Sequence, residues 1–446
     1  MPPRFGTDGI RGVANSELTP EIAVAVGRAA ARHLKAPFLL GRDTRRSGPM
    51  LQAALTAGIA AEGHDVIDVG VVPTPGLAWL AAERGASAAM ISASHNPFAD
   101  NGIKLFGPGG SKLPLDLEVL IQADLDELFA RAIGRGEQPE HDGVGKIATD
   151  TEAVFAYGDR LVSAVAVSDL PSGLVVFDCA NGAASRVAPY VVQRLGLEAE
   201  VLSAEPDGRN INSGCGSTHP EALAAEVLAR SAILGVAFDG DADRMIAVDE
   251  SGELVDGDQL MAMFAFDLKE RGALRGDALV ITVMSNLGLR RALFERGLGY
   301  VETPVGDRHV ADAMEEHGLV LGGEQSGHLI FAEHATTGDG LLTALLLLEL
   351  LGRRKEPLGD LAAGTMARLP QVLVNVPVHE PERLSSAEAV WGEVAAVESD
   401  LGESGRVLLR PSGTESCVRV MVEADTSELA ESSVAKLVEV VRRELG

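Results

Sequence analysis

Three aspartates, Asp239, Asp241 and Asp243, stand at alternate positions directly after the apolar run ILGVAF. In an extended chain such residues point to one side, so the spacing predicts three carboxylates converging at the end of a buried strand. Carboxylates so placed repel one another unless a cation sits among them, and hard oxygen ligands suit Mg²⁺. Read as an EF-hand, the same segment reaches Glu250 at the last ligand position. However, Arg244 stands where that loop needs glycine, and the flanks read as strands. A solvated acidic turn is the plain alternative.

A second segment, ISASHNPFADNGIKLFGPGG (91–110), reads as a strand that ends in a polar loop. Ser94, just past the strand end, has the exposed and rigidly based position of a nucleophile, although Ser, Asn and Pro are also ordinary turn formers. In an extended loop His95 points away from Ser94 and is a poor base. No G-x-S-x-G occurs, which weakens a hydrolase reading.

Three further segments combine Gly, Ser or Thr with Arg: FGTDGIRG (5–12), GRDTRRSG (41–48) and RPSGTESCVR (410–419). Gly admits backbone N–H groups to an anion, hydroxyls add donors and Arg supplies a fork, so each is a candidate phosphate cradle. In the third, Arg410, Ser412, Gly413 and Thr414 lie between two strands, with Arg419 in the strand that follows; a hairpin turn with surface arginines is the alternative. The cluster GGEQSGH alternates Glu324, Ser326 and His328, a row able to hold sugar hydroxyls. Neither GxxxxGK[ST] nor GxGxxG is present, so nucleotide sites lack support.

These loops need a frame. Short apolar runs alternate with Ala/Leu-rich segments of helical period. Strands are expected at 38–40, 66–69, 88–92, 174–177, 233–238, 279–283 and 319–321. Helices are expected at 20–34, 48–62, 183–195, 220–230, 257–271, 307–317 and 338–352. This alternation predicts α/β layers with mixed sheets. An apolar run breaking into a polar loop and then a helix recurs in FLLGRDTRRSG, LVVFDCANGA and VITVMSNLGL, which suggests three related α/β domains. After 370 the chain reads as a smaller α+β domain. Linkers are expected at 134–146 and 355–370, with domains at 1–150, 151–255, 256–368 and 369–446.

In this order the loops resemble the α-D-phosphohexomutase family over essentially the whole chain. FGTDGIRG, NINSGCGSTHP (210–220), VMSNLGL, VGDR (305–308) and GGEQSGH with Gln325 resemble most the members that act on glucosamine phosphates. The resemblance implies four domains around a central cleft. It implies that Ser94 carries a phosphoryl group and that Ser94, Asp239, Asp241 and Asp243 hold one Mg²⁺, with Glu324 and Ser326 binding the sugar. Arg410, Ser412, Gly413, Thr414 and Arg419 would bind the substrate phosphate. Arg11, Lys104 and His328 would join the catalysis, Lys104 or His328 as base, with His95 and Arg244 in support. The implied reaction interconverts glucosamine 6-phosphate and glucosamine 1-phosphate through a 1,6-bisphosphate, with glucosamine 1,6-bisphosphate or glucose 1,6-bisphosphate as activator. Glucose and mannose phosphates are the alternative substrates. Ser416 and Cys417 depart from the Pro and aliphatic residue usual in the family.

Composition narrows the partners. Lys plus Arg is 38 against 65 for Asp plus Glu, a net charge of −27. Such a body repels nucleic acid and anionic lipid but does not exclude a small anionic substrate, and the resemblance implies a sugar phosphate as the partner of a monomer or homodimer. Cys179, Cys215 and Cys417 form no CxxC, which fits reduced thiols in a cytoplasmic chain. The first residues show no apolar signal core, and the apolar run Leu341–Leu351 is too short to span a bilayer.

Overall fold

The computed structural model describes residues 4–6, 9–35, 37–130, 139–412 and 416–446. The chain forms two compact units, one of Met1–Val283 with Gly299–Ala362, the other of Met284–Leu298 with Ala363–Gly446. Among the described residues the strands form four sheets, of six, five, four and three strands.

The first three sheets share one plan. A parallel pair is extended by a third parallel strand, and a hairpin then adds an antiparallel strand beside it. In the first sheet the pair is Phe38–Arg42 and Val66–Val71, the third strand is Ser87–Ile91 and the antiparallel one Asp100–Phe106. In the second these are Val175–Asp178, Ala199–Leu202, Leu234–Phe238 and Met245–Asp249. In the third they are Ala278–Thr282, Gly299–Thr303, Leu321–Gly323 and Leu329–Phe331. The recurring run noted in the sequence is the first strand and following loop of each repeat. The serine loop, the aspartate loop and GEQSGH all occupy the same hairpin, between the third parallel strand and its antiparallel neighbour.

Burial explains the strand sequences. Ser87–Ile91 and Leu234–Phe238 are buried at every position, so they read as unbroken apolar runs. The expected helices form at Pro20–His33, Gly48–Ala61, Ala184–Leu195, Glu221–Arg230, Gly257–Glu270, Asp307–His317 and Gly340–Arg354. No helix of the described residues is long and apolar enough to cross a membrane.

Two expectations need correcting. Residues 100–106 are a strand rather than part of the polar loop, because their pairing with Ser87–Ile91 and Ile10–Val13 outweighs the turn-forming composition of DNG. The stretch 355–370 contains the helix Leu358–Thr365, anchored by buried Leu358 and Ala362. Within 134–146, residues 134–138 lie outside the described residues. The rest leads into Ile147–Thr149, which pairs with Val66–Val71.

The second unit holds an antiparallel sheet in which Cys417–Ala424 lies between Gln371–Pro377 and Gly405–Pro411. Val418, Val420 and Val422 bury one face of it with Val390 and Val394 of the helix Glu388–Leu401 and Leu437 and Val441 of Ser427–Leu445.

One buried polar link bears on stability. Asp339 caps the helix Gly340–Arg354, its Oδ1 accepting from the Leu342 N–H at 3.0 Å and from the Tyr157 hydroxyl at 2.8 Å. Burial pushes its carboxyl up to about 6, beyond what the hydrogen bonds from Leu342 and Tyr157 offset. Between about pH 4 and 6 the folded state therefore holds a proton that the unfolded chain has lost. Stability falls through that window and is level above it, by about 2–3 kcal/mol. Asp339→Asn keeps an acceptor for both donors and removes the charge. We expect its urea midpoint to exceed that of the parent at pH 7 and to match it at pH 4; an equal difference at both pH values would contradict this account.

Candidate active site

Asp239–Arg244 is the turn of the hairpin between Leu234–Phe238 and Met245–Asp249, with Ala242 in the left-handed region at φ 56°. The sequence reading brought the carboxylates together by extended alternation. Instead the turn curls them inward, because the strands on either side pair Phe238 with Met245 and leave no extended segment. Asp239, Asp241 and Asp243 each offer a ligand atom within 4.8 Å of the others, and all three are buried.

Ser94 meets this turn from the first repeat. Its Oγ donates to Asp239 Oδ2 at 2.5 Å across 145 positions of sequence, and its backbone is left-handed at φ 52°. The two loops touch closely: a Cβ on Gly240 would lie 2.6 Å from the Ser94 carbonyl oxygen, so only glycine fits there. Asp100–Phe106 brings in Lys104, whose Nζ donates to Asp241 Oδ2 at 2.9 Å and approaches Asp243 Oδ2 at 3.4 Å. Thr74, at the start of the helix Thr74–Arg84, donates its hydroxyl to Asp241 Oδ2 at 2.6 Å.

The GEQSGH hairpin supplies the far side. His328 is buried; its Nε2 accepts from the Gly338 N–H at 3.0 Å, and Nδ1 lies 3.8 Å from Asp243 Oδ1. Glu324 Oε1 accepts from the Gly306 N–H at 3.0 Å, Gln325 is half-buried and Ser326 is exposed. Gly327, at φ 89°, passes so near Met245 that a Cβ would lie 2.1 Å from its carbonyl oxygen, which fixes this hairpin against the aspartate hairpin.

The electrostatics follow from burial. Asp239 is held well above the ordinary carboxylate range by burial and by the charges of Asp243 and Asp241. At Asp243 burial acts the same way, but Lys104, His328 and Arg244 outweigh it and hold that carboxyl well below. Asp241 Oδ1 and Asp243 Oδ1 are buried and find no hydrogen-bond partner among the described residues. Two buried carboxylate oxygens without a partner inside a cluster of three carboxylates are what a divalent cation satisfies, so the donor set fits an ion such as Mg²⁺.

His95 corrects another expectation. The left-handed turn at Ser94 bends the loop and keeps the imidazole beside the serine, with Nδ1 3.3 Å from Ser94 Oγ. Burial and the charges of Arg244 and Arg11 push its ring down to about 4, and Arg244 Nη1 lies 3.1 Å from the same nitrogen. His95 is therefore neutral near pH 7. Arg11 sits on Ile10–Val13, paired with Gly102 across the sheet.

GRDTRRSG is not an open cradle. Arg45 is completely buried against Asp43 and donates to the carbonyls of the serine loop. In the second unit Arg410 and Arg419 stand directly opposite on adjacent strands, and the Ser412 N–H donates to the Cys417 carbonyl at 2.9 Å. Gly413 and Thr414 lie outside the described residues. Sequence reading missed the parts of Thr74, Arg45 and Asn212, the last donating its Nδ2 to the Ser94 carbonyl at 2.9 Å. Only Arg45 carried a signal, an arginine in the loop straight after a buried strand.

Comparison with known proteins covers nearly the whole chain. Models of phosphoglucomutase/phosphomannomutase alpha/beta/alpha domains I, II and III match residues 2–131, 156–252 and 256–369, and that of the C-terminal domain matches 373–440. A phosphoglucosamine mutase of Symbiobacterium thermophilum is 50% identical over 456 residues, covering 100% of both chains. One from Saccharopolyspora erythraea is 51% identical, with 98% of each chain covered. Among solved structures, a phosphoglucomutase/phosphomannomutase family protein of Burkholderia thailandensis matches with a TM-score of 0.81 at 26% identity, covering 98% of this chain and 97% of that one. The Aspergillus fumigatus N-acetylphosphoglucosamine mutase, solved with GlcNAc-6P and magnesium, matches at 0.71 and 19% identity, covering 99% and 96%, a likeness of fold.

Proposed function

Because this chain belongs to the phosphoglucomutase/phosphomannomutase family, we propose that it is an isomerase-class phosphotransferase that interconverts glucosamine 6-phosphate and glucosamine 1-phosphate. The observation that carries the reading is the contact of Ser94 Oγ with Asp239 inside a buried cluster of three aspartates and Lys104. The names of relatives about half identical over their full length support the amino sugar.

In this reading Ser94 begins as a phosphoserine. Its P–O bond to Oγ breaks while a bond forms to the free sugar hydroxyl, whose proton passes to a base, and a 1,6-bisphosphate results. The bisphosphate turns over, its other phosphoryl group passes to Ser94 Oγ as the bond from phosphorus to that sugar oxygen breaks, the base returns the proton to the freed sugar oxygen, and the isomer is left. The protein's work is positioning and neutralising charge. Ser94, Asp239, Asp241 and Asp243 would hold Mg²⁺, which when bound draws charge from phosphoryl oxygens. Lys104 holds Asp241 and Asp243, and Arg11 and Arg244 add positive charge near His95. His328 has Nε2 occupied by Gly338 and faces Asp243, so its part is to hold that aspartate; Lys104, the other candidate base, donates to Asp241 and Asp243 and serves the sugar hydroxyl only after giving up that proton. Glu324 and Ser326 are assigned to the sugar, and Arg410, Ser412, Gly413, Thr414 and Arg419 to the substrate phosphate. The working divisions are 1–150, 151–255, 256–368 and 369–446, in a cytoplasmic enzyme.

Incubation with glucosamine 6-phosphate, Mg²⁺ and a trace of glucose 1,6-bisphosphate should yield glucosamine 1-phosphate. Faster conversion of glucose or mannose phosphates would overturn the amino-sugar assignment. Release of free phosphate without isomerisation would overturn the mutase reading.

A further inference from the structure

We propose that Arg45 and Asn212 act as a two-sided clamp that positions Ser94, gripping the carbonyl oxygens of Ser94 and Asn96 from two different repeats. This deepens the reaction assigned above and rests on it. Arg45 lies in the loop after Phe38–Arg42, the strand beside Ser87–Ile91, and the Asp43 N–H continues that pairing onto the Ile91 carbonyl at 3.0 Å. The Asp43 carboxylate fixes the guanidinium, accepting from its Nε at 2.9 Å and from the Arg45 backbone N–H at 2.9 Å. The remaining nitrogens fan across the serine loop: Nη1 donates to the Pro97 carbonyl at 2.6 Å, and Nη2 donates to Ser94 O at 2.8 Å and Asn96 O at 2.9 Å. Asn212, from the second repeat, donates its Nδ2 to the same two oxygens at 2.9 and 3.1 Å.

The clamp has something to hold. A serine at φ 52° sits in a region that is unfavourable for an L-residue, and such a conformation persists only where its surroundings over-determine it. That conformation points Oγ at Asp239 rather than away from the turn. Arg45 is fully buried, and Asn212 is 7% exposed. Neither side chain has a hydrogen bond with the carboxylates of the aspartate triad, so both are positioning residues. Lysine at 45 keeps the charge for Asp43 but lacks the planar fork that reaches several carbonyls at once.

The test is single-turnover phosphorylation of dephosphorylated enzyme by glucose 1,6-bisphosphate with Mg²⁺, followed by intact mass after rapid quenching. Failure of the parent enzyme to gain one phosphoryl group would strike the proposed reaction itself. If the parent gains it, Arg45→Lys should reach the same final occupancy with a rate constant lower by about 10²-fold, the scale expected when a reacting group is displaced by about 1 Å. A loss of amplitude at an unchanged rate constant means only a smaller folded fraction, and it would overturn the clamp. So would an unchanged rate at full amplitude. Should Arg45→Lys fail to fold, Asn212→Ala, which removes the grip of the second repeat alone, is judged by the same split between rate and amplitude.

Discussion

Ser94→Ala should lose turnover by at least about 10⁴-fold, the scale seen when a covalent nucleophile is removed, while folding normally. Both halves of that expectation come from the site. The loop is gripped through the backbone carbonyl of Ser94 by Arg45 and Asn212, and alanine keeps that carbonyl. The Oγ makes one short bond, to Asp239, whose carboxyl burial and neighbouring aspartates already keep well above its usual range. Losing that donor leaves Asp239 able to retain its own proton, so the melting temperature should hardly move. Two measurements check it: isomerisation of glucosamine 6-phosphate, and intact mass after exposure to glucose 1,6-bisphosphate. The variant should gain no phosphoryl group. Near-normal turnover, or a phosphoryl group still acquired, would place the acceptor elsewhere.

Much of this site was legible from residue types. Asp/Gly alternation after an apolar run marked a carboxylate cluster, and a serine past a strand end marked the side chain that meets it. The buried parallel strands declared themselves because burial on both faces demands unbroken apolar sequence. Asp100–Phe106 escaped because its pairing is tertiary: DNG favours a turn locally, and only the neighbouring strands make residues 100–106 extended. His95 was misplaced for a related reason. One left-handed residue, Ser94, reverses the side on which the next side chain falls, and nothing in a serine codon-by-codon reading announces a positive φ. Asn212 was invisible in role, and Arg45 was legible only as a loop arginine after a buried strand, because their acceptors are backbone carbonyls, which every residue has. What the sequence could not carry was the shared hairpin position of the three loops, since that is a property of strand order.

Lys104→Met should lower kcat by about 10²–10³-fold and make stability depend far more strongly on Mg²⁺. Lys104 is 4% exposed, and its ammonium lies between two buried carboxylates, Asp241 at 2.9 Å and Asp243 at 3.4 Å. Methionine fills the space of the stem and removes the charge. Asp243 loses the strongest of the positive neighbours that hold its carboxyl low, and Asp241 keeps only the neutral Thr74 hydroxyl on that oxygen. Breaking a buried pair from one side costs about 3–5 kcal/mol, because the abandoned charge stays desolvated. Mg²⁺ binds the folded cluster and not the unfolded chain, so it restores the missing positive charge by mass action. The melting temperature of Lys104→Met should therefore fall steeply in EDTA and recover much of the loss in Mg²⁺, a wider gap than the parent shows. Activity should not recover with it, because the cation replaces the charge beside the aspartates and not the group that serves the sugar hydroxyl. An equal Mg²⁺ response in both proteins would mean that Lys104 and the metal do not share the aspartates. Recovery of full turnover in Mg²⁺ would mean that the lysine only balances charge.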